Sequence, residues 1–433
     1  RTHDKGLKVI IDFVPNHVSR EYISDVKDGR SVDFGKNDNK NLRFHKDNNF
    51  YYLPGYKFIS PQKSSDNDSF EEFPAKATGN DCFKHNPSIN DWFETVKLNY
   101  GIDYFNLNSH HFTPIPDTWI KMESIIKYWI DLGADGFRCD MAGMVPLEFW
   151  RWVIERVRKD YPETLFIGEV YEKERYKGFL DSGFDYLYDK VGLYDTLWSV
   201  FKGEKSASEI TGCWLSLDGI EDKMLNFIEN HDECRCASDF LAGDPFKALP
   251  LFVVSLLLNR SPFMLYFGQE LGERGMYEEG FSKLDGKTTI FDYWSLDSVR
   301  EWIKNGEEPE IRKRYRILLN LALNENAISS GEKFDLQYAN IESGSYDNRT
   351  QFSFLRCYEK TLYLISVNFS DRRKFTTILI PGAAFEYLKI ETGSVYKGID
   401  ILSGKESEFR LFPDCEAGIE IEGYGVRIIR FSL

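Results

Sequence analysis

The first patterned stretch of the chain is Leu7–Val14, LKVIIDFV, a nearly continuous apolar run of strand length broken by one acid, Asp12. Such runs suit strands covered on both faces, as in parallel sheets flanked by helices. Regular alternation resumes at Asp117. A helical stretch, Trp119–Leu132, passes through Gly133 into a short strand, Ala134–Cys139. A second, Leu147–Lys159, carries Trp150, Val153 and Val157 at helical spacing and leads to Leu165–Val170. Phe184–Leu187, Met224–Glu229 and Pro262–Phe267 read as further strands, with helices over Leu193–Phe201 and Phe246–Leu258. Strand and helix in repetition predict right-handed parallel β/α units. Beyond a helix at Ile311–Leu323 the period becomes two. Gln351–Cys357, Thr361–Asn368, Phe375–Ile380 and Gly425–Phe431 predict a separate antiparallel β domain, a sandwich.

Between Val18 and His111 neither period holds. Gly, Asn, Asp and Lys dominate, with scattered aromatics such as Phe50, Tyr51 and Tyr52. A stretch this long is not a structureless loop inside a compact domain, so it reads as a small inserted domain. The expected organisation is a barrel over 1–17 and 112–330, an inserted domain over 18–111 and a C-terminal domain over 331–433. Composition then narrows the partners. With 42% hydrophobic and 28% charged residues the chain is a folded one. A formal charge of −15 weighs against nucleic acid and anionic membranes. The most apolar run, Leu249–Leu258, is too short to span a bilayer. Seven cysteines at irregular spacing, with no CxxC pair, point to a reducing, cytoplasmic compartment.

The chemistry collects at strand ends. Arg138 and Asp140, two residues apart, face the same way at the end of their strand. Taken alone such a pair is more often a structural ion pair. The other strands end alike, in Asp12 and His17, in Glu169, and in His231 and Asp232. In a parallel β/α barrel all of these ends face one mouth. Converging carboxylates with one Arg and two His match glycoside hydrolysis better than metal or phosphate chemistry. No His/Cys cluster stands at zinc spacing, and no Gly-rich phosphate loop is found. A carboxylate pair can divide the work, one kept ionised by Arg138 as nucleophile and the other protonated as acid.

DFVPNH (Asp12–His17), GFRCD (Gly136–Asp140), IGEV (Ile167–Val170) and FIENHD (Phe227–Asp232) resemble, in order, the signature regions of the α-amylase family, glycoside hydrolase family 13. FGQE (Phe267–Glu270) resembles that family's last barrel strand. The resemblance implies an α/β protein, a (β/α)8 TIM barrel with an inserted domain B and a C-terminal antiparallel β-sandwich domain. Leu7–Val14 takes the place of the family's third strand. Six barrel strands are therefore found where eight close the barrel, and the first two are expected to be missing.

The same resemblance implies a retaining hydrolase of α-1,4-linked starch, glycogen or maltooligosaccharides, working through a covalent glycosyl-enzyme. Asp140 would be the nucleophile, Glu169 the general acid/base and Asp232 the residue that stabilises the transition state. Arg138 would orient Asp140, His17 and His231 would hydrogen-bond the sugar, and Asp12 would be a buried support. A transglycosylase of the same family and a non-catalytic glucan-binding protein are the alternatives; retention of Asp140, Glu169 and Asp232 argues against the second. No cofactor is required for the reaction. Calcium is the metal the family suggests, with Asn16 its candidate ligand here. Many amylases carry Lys-His shortly after the nucleophile, the His carbonyl binding calcium, whereas this chain has Gly143 and Met144.

Overall fold

The chain enters its first sheet at β1 (Ile10–Phe13) and leaves it through Pro15. The long segment that follows is made of very short strands: β2 (His17–Ser19), β3 (Tyr52–Leu53), β4 (Ala75–Lys76), β5 (Thr95–Lys97), β6 (Ile102–Asp103) and β7 (Ser109–His110). They pair antiparallel as β2–β5, β3–β4 and β6–β7. Strands of two or three residues show no readable period, so packing has to hold this segment. Tyr51, for example, meets Phe83 and Tyr104 edge-on at 5.4 Å. The computed structural model describes every residue except 26–31, 63–69, 277–284, 289–295, 342–343 and 392–393. It divides into two compact units, Arg1–Tyr188 and Asp189–Leu433.

In the first unit the alternation expected from Asp117 onwards is realised. α1 (Asp117–Asp131) leads to β8 (Gly136–Cys139), α2 (Leu147–Asp160) to β9 (Leu165–Gly168), and α3 (Tyr176–Asp181) to β10 (Tyr186–Tyr188). Pro116 and Pro146 open α1 and α2, since proline lacks the N–H that a first turn leaves unpaired. Asp117 and Glu148 sit in the first turns, where negative charge suits the helix dipole. α2 buries Trp150, Val153, Ile154 and Val157, the stripe its spacing predicts. The strands run parallel in the order β1-β8-β9-β10, with Asp12 opposite Arg138 and Arg138 opposite Ile167. A β-carbon on Gly136 would fall 2.6 Å from the Leu165 carbonyl oxygen, so that position needs glycine.

The run Leu7–Val14 is open on one side: Leu7 is 61% exposed, and Ile10 and Val14 are exposed too. Asp12, expected to be buried, has a side chain 56% exposed. β1 pairs with β8 on one side and forms an edge of this sheet, which accounts for the exposure.

The second unit opens with α4 (Asp195–Phe201) and α5 (Glu209–Leu215), followed by β11 (Met224–Leu225). A parallel bridge between Asn226 and Phe263 brings together the two apolar runs read as strands. Every residue of α6 (Leu249–Leu257) is buried, as its apolar character on all sides, interrupted only by Ser255, requires. α7 (Asp297–Asn305), α8 (Glu310–Asn324) and α9 (Asn326–Ser329) complete the helices before the β region.

There β12 (Glu332–Asp335), β13 (Gln351–Tyr358), β14 (Thr361–Asn368) and β15 (Lys374–Ile380) precede α10 (Gly382–Leu388). β16 (Ser394–Asp400), β17 (Glu406–Leu411), β18 (Cys415–Ile421) and β19 (Val426–Ser432) follow. They form a sheet ordered β12-β13-β14-β19-β16-β17 and a separate β15–β18 pair. The two layers share a core that includes Leu355, Leu364, Ile378, Ile419 and Phe431, which makes the region a sandwich. Arg356 of β13 lies buried and donates to the carbonyls of Leu258, Ala327, Ile328 and Gly331, closing the ends of α6 and α9. Among the described residues no helix is long and apolar enough to cross a membrane, and the cysteines form no disulfide.

Candidate active site

Arg138 organises a cluster of motif residues in the first unit. It projects from β8, and its guanidinium meets four groups. Nη1 donates to Asp12 Oδ1 at 2.9 Å and to Asp140 Oδ1 at 2.8 Å. Nε donates to the Tyr188 hydroxyl at 3.2 Å. Nη2 faces Glu169 Oε2 at 2.8 Å, an ion contact too bent to count as an aligned hydrogen bond. Burial opposes the charge on Arg138, but the Tyr188 phenol and the three carboxylates outweigh it and raise its pKa. Four sequence-predicted residues, Asp12, Arg138, Asp140 and Glu169, are thus brought to one point by three adjacent parallel strands.

The two catalytic candidates are held differently. Asp140 follows β8 directly, its N–H bonded to the Phe13 carbonyl at 2.9 Å. Burial pushes its carboxyl up to about 6; Arg138 opposes the shift and Glu169 adds to it. One guanidinium is shared among three acids, so desolvation outweighs the pull of Arg138 on Asp140. Glu169, 2% exposed, accepts the Met141 N–H at 2.8 Å on Oε2 and the Tyr171 hydroxyl on Oε1. Met141 delivers its N–H from a left-handed backbone, φ 44° and ψ 39°, a conformation rare outside glycine.

His17 begins β2, with its ring 5.3 Å from that of Trp92. Burial and the nearby Lys97 ammonium drop its pKa to about 4, so at neutral pH it is a neutral imidazole that can both donate and accept. Asn16 is fully buried. Its Nδ2 donates to the Gly79 carbonyl at 2.8 Å and its Oδ1 accepts Lys97 Nζ at 2.6 Å. In the second unit His231 and Asp232 pair with each other, Nε2 to Oδ2, at 3.2 Å. The buried Asn230 side chain accepts the N–H groups of Asp232 and Glu233, which shapes that loop.

Residues 1–309 match the family model for the α-amylase catalytic domain. The chain belongs to the α-amylase family. Alpha-amylase 2 of Dictyoglomus thermophilum is 25% identical over 337 residues, which cover 76% of this chain and 48% of that protein. An alpha-1,4-glucan:maltose-1-phosphate maltosyltransferase of Myxococcus xanthus is 34% identical over 205 residues, covering 43% of this chain and 27% of that one. The crystal structure of alpha-amylase from H. orenii superposes with a TM-score of 0.64 at 19% identity, covering all of this chain and 81% of that one. That likeness shows the fold, a β/α barrel followed by an antiparallel β domain. The chain spans about half to two thirds of the length of the first curated relatives it matches, 48% and 63%.

Within each unit of this α-amylase-family chain, several residues beside the motifs escaped the sequence reading. Tyr188 ends β10, and nothing in its short strand marks it as a partner of Arg138. Tyr171 stands two residues past Glu169, a spacing that could have flagged it. Glu229 and Arg235 form a fully buried ion pair at 2.8 Å, flanking His231 and Asp232 in sequence, and Arg235 lies 3.8 Å over the Tyr266 ring. A separate cavity of about 560 Å³ in the second unit, lined by Trp214, Lys333, Tyr338 and Tyr387 among others, contains none of the motif residues.

Proposed function

We propose that the protein is a retaining α-glucan hydrolase that cleaves α-1,4 bonds in starch, glycogen or maltooligosaccharides, with Asp140 as nucleophile and Glu169 as general acid/base. The observation that carries this reading is the single guanidinium of Arg138 in contact with both carboxylates. Asp140 attacks the anomeric carbon while Glu169 gives its proton to the departing glycosidic oxygen. Water then attacks the glycosyl–Asp140 ester and yields its proton to Glu169, restoring both groups. Glu169 must therefore gain and lose a proton in each cycle. The Tyr171 hydroxyl suits that cycle, since it can donate to the carboxylate or turn to accept from the acid. Asp232 and His231 bind sugar hydroxyls, and the neutral His17 does so without adding charge. Asp12 acts through Arg138 from an exposed position.

Transglycosylation is the second reading, in which a sugar hydroxyl replaces water. It is favoured by relatives that include maltosyltransferases and a cyclomaltodextrin glucanotransferase of Geobacillus stearothermophilus. Gly143 and Met144, where many amylases have Lys-His, leave acceptor choice open to it. Incubation of the intact protein with one pure maltooligosaccharide distinguishes the readings. Shorter products only, released first as the α-anomer, are expected of the hydrolase. Longer products as well would make it a transglycosylase; β-anomers would overturn retention, and no turnover would leave a binding protein.

A further inference from the structure

We infer that Lys97 stands in for the structural metal ion that the α-amylase resemblance suggests, its ammonium joining segments that a calcium ion would otherwise join. The inference goes beyond the catalytic reading and is tested without it. The oxygens a hard cation would choose are present: the amide Oδ1 of Asn16, the carboxylate Oδ1 of Asp81 and the backbone carbonyl of Met144. Calcium takes six to eight such oxygens at about 2.3–2.6 Å. Here the three converge on Lys97 Nζ instead, at 2.6, 2.7 and 3.3 Å respectively. An ammonium has three N–H donors, and these oxygens use them all.

The position of the ammonium is set by the fold. Lys97 lies on β5, opposite His17 of β2, and is 2% exposed. A calcium ion drawing on the same oxygens would stand within a few ångströms of this buried cation, and like charges at that range repel. The residues present therefore do not fit the ion. They do fit its task. The ammonium links the loop after β1, the turn holding Asp81 and the segment just past Asp140, parts of the chain otherwise far apart in sequence. Asn16 strengthens the link by donating to Gly79 as well.

The test uses the intact protein and its melting temperature. With EDTA or with millimolar calcium chloride the wild type should melt within about 1 °C of the same temperature, whereas an ion present at about 100 times its Kd would add several degrees. A chelator-induced fall that calcium reverses, or a calorimetric titration showing one tight calcium site, would overturn the inference. Lys97→Ala should lower Tm by several degrees, because it leaves the buried Asn16 amide oxygen without its donor and removes the cation that Asp81 pairs with from the surface side. Calcium should then restore part of that loss in the variant while leaving the wild type unmoved. A variant that melts like the wild type, or that folds but cannot be restabilised by calcium, shows that these oxygens are not a cation site and overturns the substitution. Should the variant not fold, the wild-type chelation and titration results decide alone.

Discussion

Replacing Asp140 by Asn separates what this residue does for stability from what we propose it does for catalysis. Burial lifts its carboxyl from 3.8 to about 6, against Arg138 and with help from Glu169. A group raised in this way contributes stability that is fully present below its unfolded value and lost as pH rises through its folded one. For Asp140 the window runs from about 4 to about 6. Above it the ionised side chain costs at most ~3 kcal/mol, because each tenfold weakening of the acid corresponds to ~1.4 kcal/mol. Asn does not ionise and so escapes that loss. It exchanges a charge-assisted hydrogen bond from Arg138 for a neutral one, which gives back roughly 1 kcal/mol. The variant should therefore be about 1–2 kcal/mol more stable near pH 7.5, a rise in Tm of ~3–6 °C, and gain nothing near pH 4.5. Turnover should fall by ~10⁴-fold or more while oligosaccharide binding persists. Calorimetry at the two pH values, beside initial rates, checks both halves. Equal stabilisation at both pH values, or destabilisation at both, would refute the electrostatic reasoning. Near-normal turnover would refute the nucleophile assignment.

The pH profile of kcat/KM on a maltooligosaccharide should rise through an apparent pKa of about 6, as Asp140 ionises. A profile flat between about pH 5 and 7 would count against that. Asp12→Asn removes a negative charge that contributes to the lift, so its acid limb should move to lower pH; an unmoved limb means Asp12 is not coupled to Asp140. A crystal structure should place the Asp140 and Glu169 carboxyl groups ~5–5.5 Å apart, and a gap near 9 Å with room for water would indicate inversion instead. Arg235→Met leaves Glu229 charged and buried without its partner, which should cost ~3–5 kcal/mol; adding Glu229→Gln should recover part of the lost Tm. No recovery in the double variant would mean that packing against Tyr266, not charge, explains the loss.

Long periodic segments were legible because one face of each is stabilised by burial over many residues. α1, α2, α6, β13 and β14 fall within a few residues of their expected limits. Elements that escaped lack such a face. β17 reads ESEFRL and is mostly exposed, so charge hides its strand character. The pairs between His17 and His110 are two or three residues long, and their order comes from contacts distant in sequence. Asn49, for instance, reaches Asp117 and Thr118. The candidate site divides along the same line. Asp140, Glu169 and Arg138 stand in contiguous motifs and could be named from residue order alone. Tyr188 and Lys97 become partners only once strands are placed side by side, and their own neighbours in sequence carry no mark of it.

The perturbed carboxylate and the proposed chemistry have a common source. Arg138 brings one positive charge to three acids, Asp12, Asp140 and Glu169, so the cluster is short of cations. In a resting protein that shortage is unfavourable, and it adds to the lift on Asp140 that burial chiefly causes. Glycoside cleavage passes through an oxocarbenium-like state in which the sugar itself becomes positive. Negative charge already fixed around the anomeric carbon stabilises that state without reorganisation at the moment of reaction. A second full cation beside Asp140 would relieve the repulsion in the ground state and oppose the charge that develops on the sugar. Arg138 meets the competing demands by sharing. It draws the two catalytic candidates to one guanidinium, which fixes their geometry, while leaving uncompensated charge that, in the mechanism we propose, favours the transition state over the substrate.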